Sequence, residues 1–144
     1  MRIHDILDSK GRHVVTTTSE GTVLDAMQVL VEHNIGAVVI VEGSSIQGIL
    51  SERDVLRLGA GGPELLSSTR IREAMTRDVI VGLPDDEIHH AMGVMTKNRI
   101  RHLPIMGDGA LVGIVSIGDL VNASRHEAVD ENRYMKDYIQ GLTR

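Results

Sequence analysis

The sequence contains no cysteine, no phenylalanine and no tryptophan. Without cysteine there is no disulfide, no thiolate nucleophile and no cysteine-ligated metal. With only two tyrosines, Tyr134 and Tyr138 near the C-terminal end, the core is built from Val, Ile, Leu and Met. Positive charge is also short. Fifteen Lys and Arg stand against twenty Asp and Glu, a formal net charge of −5, which argues against the basic surface that nucleic-acid binding uses to displace counterions. No apolar run approaches the ~20 residues that span a bilayer. The opening Met1-Arg2-Ile3-His4-Asp5 is not an apolar leader. The expectation is a soluble, cytoplasmic protein with neither nucleic acid nor membrane as partner. Apolar residues still make up 42% of the 144, enough for a real core.

Catalytic signatures are missing as well. There is no Walker loop, no Ser-His-Asp arrangement at a recognisable elbow and no paired carboxylates, so the chain reads as a non-enzyme. Seven histidines raise the question of a metal, with His89-His90 as the obvious pair. Adjacent helical residues point about 100° apart and seldom chelate one ion, and the His-Glu-x-x-His spacing is absent. No metal is expected to be required.

What is present is a repeat. A shift of 65 superposes Ala26-Met27 on Ala91-Met92, Val29 on Val94, Ile35 on Ile100 and Ile40 on Ile105. The same shift carries Gly48-Ile49-Leu50-Ser51 onto Gly113-Ile114-Val115-Ser116, and Asp54 onto Asp119. One offset without a gap is the mark of a duplication. Each copy reads strand, helix, strand, strand, helix. Residues 13–17 form a short β-branched strand, and Val23, Ala26, Met27 and Leu30 make the stripe of an amphipathic helix, matched by Ile88, Ala91, Met92 and Met95. Residues 37–41 and 46–50 form a hairpin around Gly43-Ser44-Ser45, and its counterpart turns through Gly107-Asp108-Gly109. Gly59-Ala60-Gly61-Gly62-Pro63 reads as a linker. The fold class is therefore α+β: two β-α-β-β-α repeats, residues 1–62 and 63–124, packed about a pseudo-two-fold axis. A C-terminal helical tail occupies residues 125–144, where Met135, Tyr138, Ile139 and Leu142 form an apolar stripe in need of a cover.

Each copy closes on Gly-aliphatic-aliphatic-Ser-x-x-Asp: Gly48-Ile49-Leu50-Ser51-Glu52-Arg53-Asp54, and Gly113-Ile114-Val115-Ser116-Ile117-Gly118-Asp119. Taken singly, the serine and the acid are a capping box at a helix start. Taken as a pair in register they also suit a ligand. Helix N-termini present free N–H groups to anions, and a carboxylate there can accept hydrogen bonds from the two hydroxyls of a ribose. Lys97, Arg99, Arg101 and His102 add a basic cluster to an acidic chain. Lys97 suits a helix C-terminus, whereas Arg101 and His102 lead into a strand and suit a phosphate.

The duplicated pattern, together with Arg101-His102-Leu103-Pro104-Ile105, resembles the tandem cystathionine-β-synthase (CBS) domain pair, or Bateman module, over residues 3–122. The resemblance implies an adenosine nucleotide as regulatory ligand (AMP or NAD, with ADP and ATP as further candidates) held in the cleft between repeats. It implies ribose and phosphate contacts from Ser51, Arg53 and Asp54, and from Ser116, Ile117, Gly118 and Asp119. It implies adenine contacts from Val15, Thr16 and Thr17 with Gly36, Ala37 and Val38, and from Ile80, Val81 and Gly82 with His102, Leu103 and Pro104. It also implies a homodimer that signals by conformational change to an effector protein. Gly36-Ala37 stands where the second copy has Arg101-His102, so the second site is expected to dominate. A purely structural dimerisation module and a nucleotide-processing enzyme are the alternatives.

Overall fold

The computed structural model describes the backbone of residues 1–139 and the side chains of residues 1–128. Helix α1 (Ile3–Lys10) opens the chain. Strand β1 (Thr16–Thr17), helix α2 (Val23–His33), strands β2 (Ala37–Glu42) and β3 (Ser45–Ser51) and helix α3 (Glu52–Ala60) follow. Two single-turn helices, α4 (Leu65–Ser68) and α5 (Ile71–Ala74), lead to α6 (Ile88–Asn98), β4 (His102–Gly107), β5 (Ala110–Ser116) and α7 (Ile117–Ile139). This is the α+β arrangement of two β-α-β-β-α-like repeats with a C-terminal helix.

Local chemistry explains the boundaries. Helix α2 starts at a capping box in which the Asp25 amide donates to Thr22 Oγ1 and the Thr22 amide to Asp25 Oδ2. Helix α6 starts on Glu87, whose carboxylate accepts from the amides of His89 and His90. The stripes Val23, Ala26, Leu30 and Ile88, Ala91, Met95 are buried. The hairpins repeat each other down to a register shift, between Ile40 and Val41 in one and between Ile105 and Met106 in the other. The second turns through Asp108 and Gly109 with φ of 51° and 78°, the left-handed pair that Asp-Gly supplies.

Several elements differ from the sequence reading. The strand over residues 13–17 shrinks to Thr16–Thr17, parallel to β2. Its counterpart is a single bridge, Gly82 to Ile105, because Pro84, two residues on, has no N–H to extend a ladder. Ser45 belongs to β3, Gly107 to β4, and Gly59-Ala60 to the end of α3. The C-terminal helix is not a separate element, since α7 runs unbroken from Ile117 to Ile139. The Met135, Tyr138, Ile139 and Leu142 stripe lies outside the residues whose side chains are described. No helix among the described residues is long and apolar enough to cross a membrane.

The largest departure is an exchange between the halves. Ile3, Ile6 and Leu7 of α1 are buried in the core of the second repeat, with Ile88, Met95, Leu103 and Leu120. Ile71 and Met75, around α5, are buried in the core of the first, with Val23, Val38 and Leu50. A sequence boundary at 62/63 therefore divides the chain but not the cores. The exchange is reciprocal. A β-carbon on Gly48 would lie 2.6 Å from Met75 Sδ, and one on Gly113 would lie 2.6 Å from Leu7 Cδ2. The leading glycine of each Gly-x-x-Ser-x-x-Asp motif is there to let the other half's helix approach.

Candidate functional site

Both Ser-x-x-Asp motifs are capping boxes in fact. The Ser51 amide donates to Asp54 Oδ2 at 2.9 Å and the Asp54 amide to Ser51 Oγ at 3.3 Å. The corresponding distances at Ser116 and Asp119 are 2.8 and 3.1 Å. Each box engages one carboxylate oxygen. Among the described residues Oδ1 of both aspartates accepts no hydrogen bond, so capping and ligand binding are compatible.

Two adjoining cavities flank these helix starts. The first, about 380 Å³, is lined by Ser51, Arg53, Asp54 and Arg57 from one repeat and by Arg99, Arg101 and His102 from the other. The second, about 760 Å³, is lined by Ser116 and Asp119 with Lys10, His13, His33 and Asn34. Both volumes suit a small molecule. Ala37, Glu52 and His102 line both. The imidazole of His102 lies so close to Gly36 that a β-carbon there would meet Nε2 at 2.9 Å. Burial pushes the His102 pKa below its ordinary value; the Glu52 and Asp119 carboxylates work against this, and Lys10 and Arg101 with it.

The cavities are not electrostatically alike. Lys10 Nζ donates to Asp119 Oδ2 at 2.7 Å and to the Ile114 carbonyl at 3.0 Å. Burial works to raise the Asp119 pKa, but the Lys10 ammonium and the Ser116 amide outweigh it and hold the carboxyl below its usual range. Asp54 has no ion-pair partner among the described residues, and neither do Arg53, Arg57, Arg99 or Arg101. Arg99 and Arg101 thus border the cavity of the first repeat's aspartate rather than that of their own repeat, while His102 borders both. Helix α6 ends at Asn98 with Arg99 as its cap, and the segment that leads into β4 brings residues 99–102 to the cavity at the start of α3.

Arg99 is held at φ 56°, in the left-handed region, where the first repeat has Asn34 at φ 52°. Asparagine tolerates this conformation and arginine does not. Replacing Arg99 with asparagine should raise the unfolding free energy of the free protein by about 0.5–1 kcal/mol, measured by urea denaturation. Unchanged or lower stability would mean that Arg99 is not strained.

The other residues named from sequence divide sharply. Ala37 and Gly36 border the cavities, but Val38, Leu103 and Pro104 are buried, because β2 and β4 are covered on both faces over these positions. Ile117 packs on the second core, and Gly118 lines neither cavity. Thr16 and Val81 lie exposed outside both. Val15, expected beside the first site, borders Asp119 instead, along with His13 and Val14. Lys10, His33, Arg57 and Thr76 were not anticipated. Lys10 sits on the turn by which α1 outruns its counterpart α5.

Two clusters bring potential metal-binding atoms within 4.8 Å of one another: His4, Asp5 and Asp8, and Glu87, His89 and Glu127. In the second, His89 Nδ1 lies 2.8 Å from Glu87 Oε1 and Nε2 lies 3.2 Å from Ser124 Oγ, while the Met1 ammonium donates to Glu127. These partners explain the cluster as a capping and packing network. His89 turns toward Glu87 rather than pairing with His90.

The CBS domain family matches residues 4–61 and 71–126. A mitochondrial CBS domain-containing protein of Arabidopsis thaliana is 38% identical over 148 residues, covering 96% of this chain and 72% of its own length. The crystal structure of a CBS-domain containing protein from Agrobacterium tumefaciens superposes with a TM-score of 0.83 at 36% identity, covering 86% of this chain and 99% of that one. The CBS domain pair of protein MJ0100, crystallised in complex with 5′-methylthioadenosine and S-adenosyl-L-methionine, superposes with a TM-score of 0.77 at 26% identity, over 88% of this chain and 98% of that one.

Proposed function

The chain belongs to the CBS domain family as a tandem pair, and we propose on that premise that it is a regulatory module binding an adenosine nucleotide in the Asp54 cavity. The observation that carries this reading is an aspartate with no cation on it among the described residues, at a helix start, in a cavity also lined by arginines of the other repeat. In it Asp54 accepts the ribose diol through the oxygen its capping box leaves free. Arg99 and Arg101, with Arg53 and Arg57, take the phosphate; guanidinium groups match phosphate oxygens in pairs. A relative's adenosyl ligands, 5′-methylthioadenosine and S-adenosyl-L-methionine, support the adenosine half of the assignment. Neither carries a phosphate, so the four arginines favour AMP or a dinucleotide such as NAD here; ADP and ATP share the same features.

The reading is one of binding and signalling, not turnover. A nucleotide drawn to α3 on one side and to residues 99–102 on the other ties the two repeats together, and its occupancy biases their relative position toward or away from a partner protein.

AMP at 100 times its dissociation constant should add about 2.7 kcal/mol of apparent stability and raise the melting temperature, with GMP giving a smaller shift. Equal shifts from AMP and GMP would defeat the adenine assignment. No shift from any nucleotide would leave Ser51 and Asp54 as caps in a structural module.

A further inference from the structure

The two cavities are built from equivalent positions, 65 residues apart, yet one carboxylate is covered and the other is not. The difference lies in the helices the halves exchange. Arg2-Ile3-His4-Asp5-Ile6-Leu7 corresponds to Arg70-Ile71-Arg72-Glu73-Ala74-Met75, but α5 ends at Ala74 while α1 runs another turn, to Lys10. That extra turn reaches Asp119. Leu7 and Ile3 are fully buried, and the Gly11 amide closes the helix on the Leu7 carbonyl, so Lys10 is delivered by a seated element. Its ammonium is fixed at two points, Asp119 Oδ2 at 2.7 Å and the Ile114 carbonyl at 3.0 Å. No cation stands on Asp54 among the described residues.

We propose that Lys10 is a specificity-determining residue: a tethered cation that neutralises Asp119 beside the space a ribose would take, confines adenosine nucleotide to the Asp54 cavity and sets the stoichiometry at one nucleotide per chain. Lys10 sits on the same oxygen as the capping box and leaves Oδ1 open. Its ammonium, 2.7 Å from Oδ2, already neutralises the carboxylate and lines the cavity beside it, so a diol there meets a weaker acceptor and a fixed cation. Asp54 carries no such cation among the described residues. The inference rests on the proposed function and adds to it which of two equivalent carboxylates is available and why.

The test is calorimetric titration of AMP into the full chain and its variants. The wild type binds one AMP per chain. Lys10→Met, which keeps the aliphatic stem and removes the charge, binds two, the second about 10- to 100-fold tighter than any binding the wild type shows there. Lys10→Arg, which keeps the charge, binds one. Adding Asp119→Asn to Lys10→Met removes the second site and leaves the first. Two sites in the wild type, one site in Lys10→Met, or weaker binding in Lys10→Met at the wild-type site would each overturn the role of Lys10 while leaving a nucleotide module in place. No binding of AMP to the wild type or to Lys10→Met would overturn the proposed function itself.

Discussion

Leu7→Ala should destabilise the protein by about 2–5 kcal/mol, the loss typical of removing a buried leucine. Leu7 is fully buried, lies in the second repeat's core and fills the space that Gly113 leaves open. Its removal opens a cavity between α1 and β5 and loosens the one segment that reaches from the chain's start to the second half. Val31→Ala is the control, since Val31 is 76% exposed and should change stability by less than about 0.5 kcal/mol. Urea denaturation with an unchanged slope makes the comparison. A loss below about 1 kcal/mol for Leu7→Ala would mean that α1 is not seated in the second core.

Asp54→Asn should weaken AMP binding about 10- to 100-fold, because hydrogen bonds to a charged acceptor contribute roughly 1.5–3 kcal/mol. The substitution keeps the size and much of the hydrogen-bonding geometry while removing the charge. Stability without ligand should fall by less than about 1 kcal/mol, since Ser51 remains the N-cap. Asp119→Asn should affect AMP affinity far less, because its carboxylate is already paired with Lys10. Unaltered affinity in Asp54→Asn with a lowered melting temperature would identify the motif as a cap alone.

The sequence pattern alone would rank these two aspartates the other way. Arg101 and His102 stand in the second copy, so a reading by repeat assigns them to Asp119. Antiparallel pairing does place His102 opposite Ser116, but residues 99–101 border the cavity beside Asp54. Nothing within a single repeat shows that crossing. Lys10 was illegible for a similar reason, since 109 positions separate it from Asp119 and only the folded chain joins them.

Helix α1 was hidden by its length and by the duplication itself. Eight residues with three buried positions make too short a stripe to stand out. A shift of 65 does not align it with α5, because Leu7 and Met75 are 68 apart. The hairpins and the α2 and α6 stripes were legible because their signals are local: Asp-Gly at a turn, apolar residues at helical spacing, one offset throughout. The adenine contacts that the resemblance implies misled at β2 and β4. Residues 37–40 are all buried, so Val38, next to a residue that borders the cavities, goes into the core.

The most direct test of nucleotide binding at Asp54 is to titrate AMP into isotopically labelled protein and follow the backbone amide resonances. Shifts concentrated at residues 51–54 and 99–102, saturating together, are the predicted result. Shifts confined to residues 114–119, or none at millimolar AMP, would contradict it.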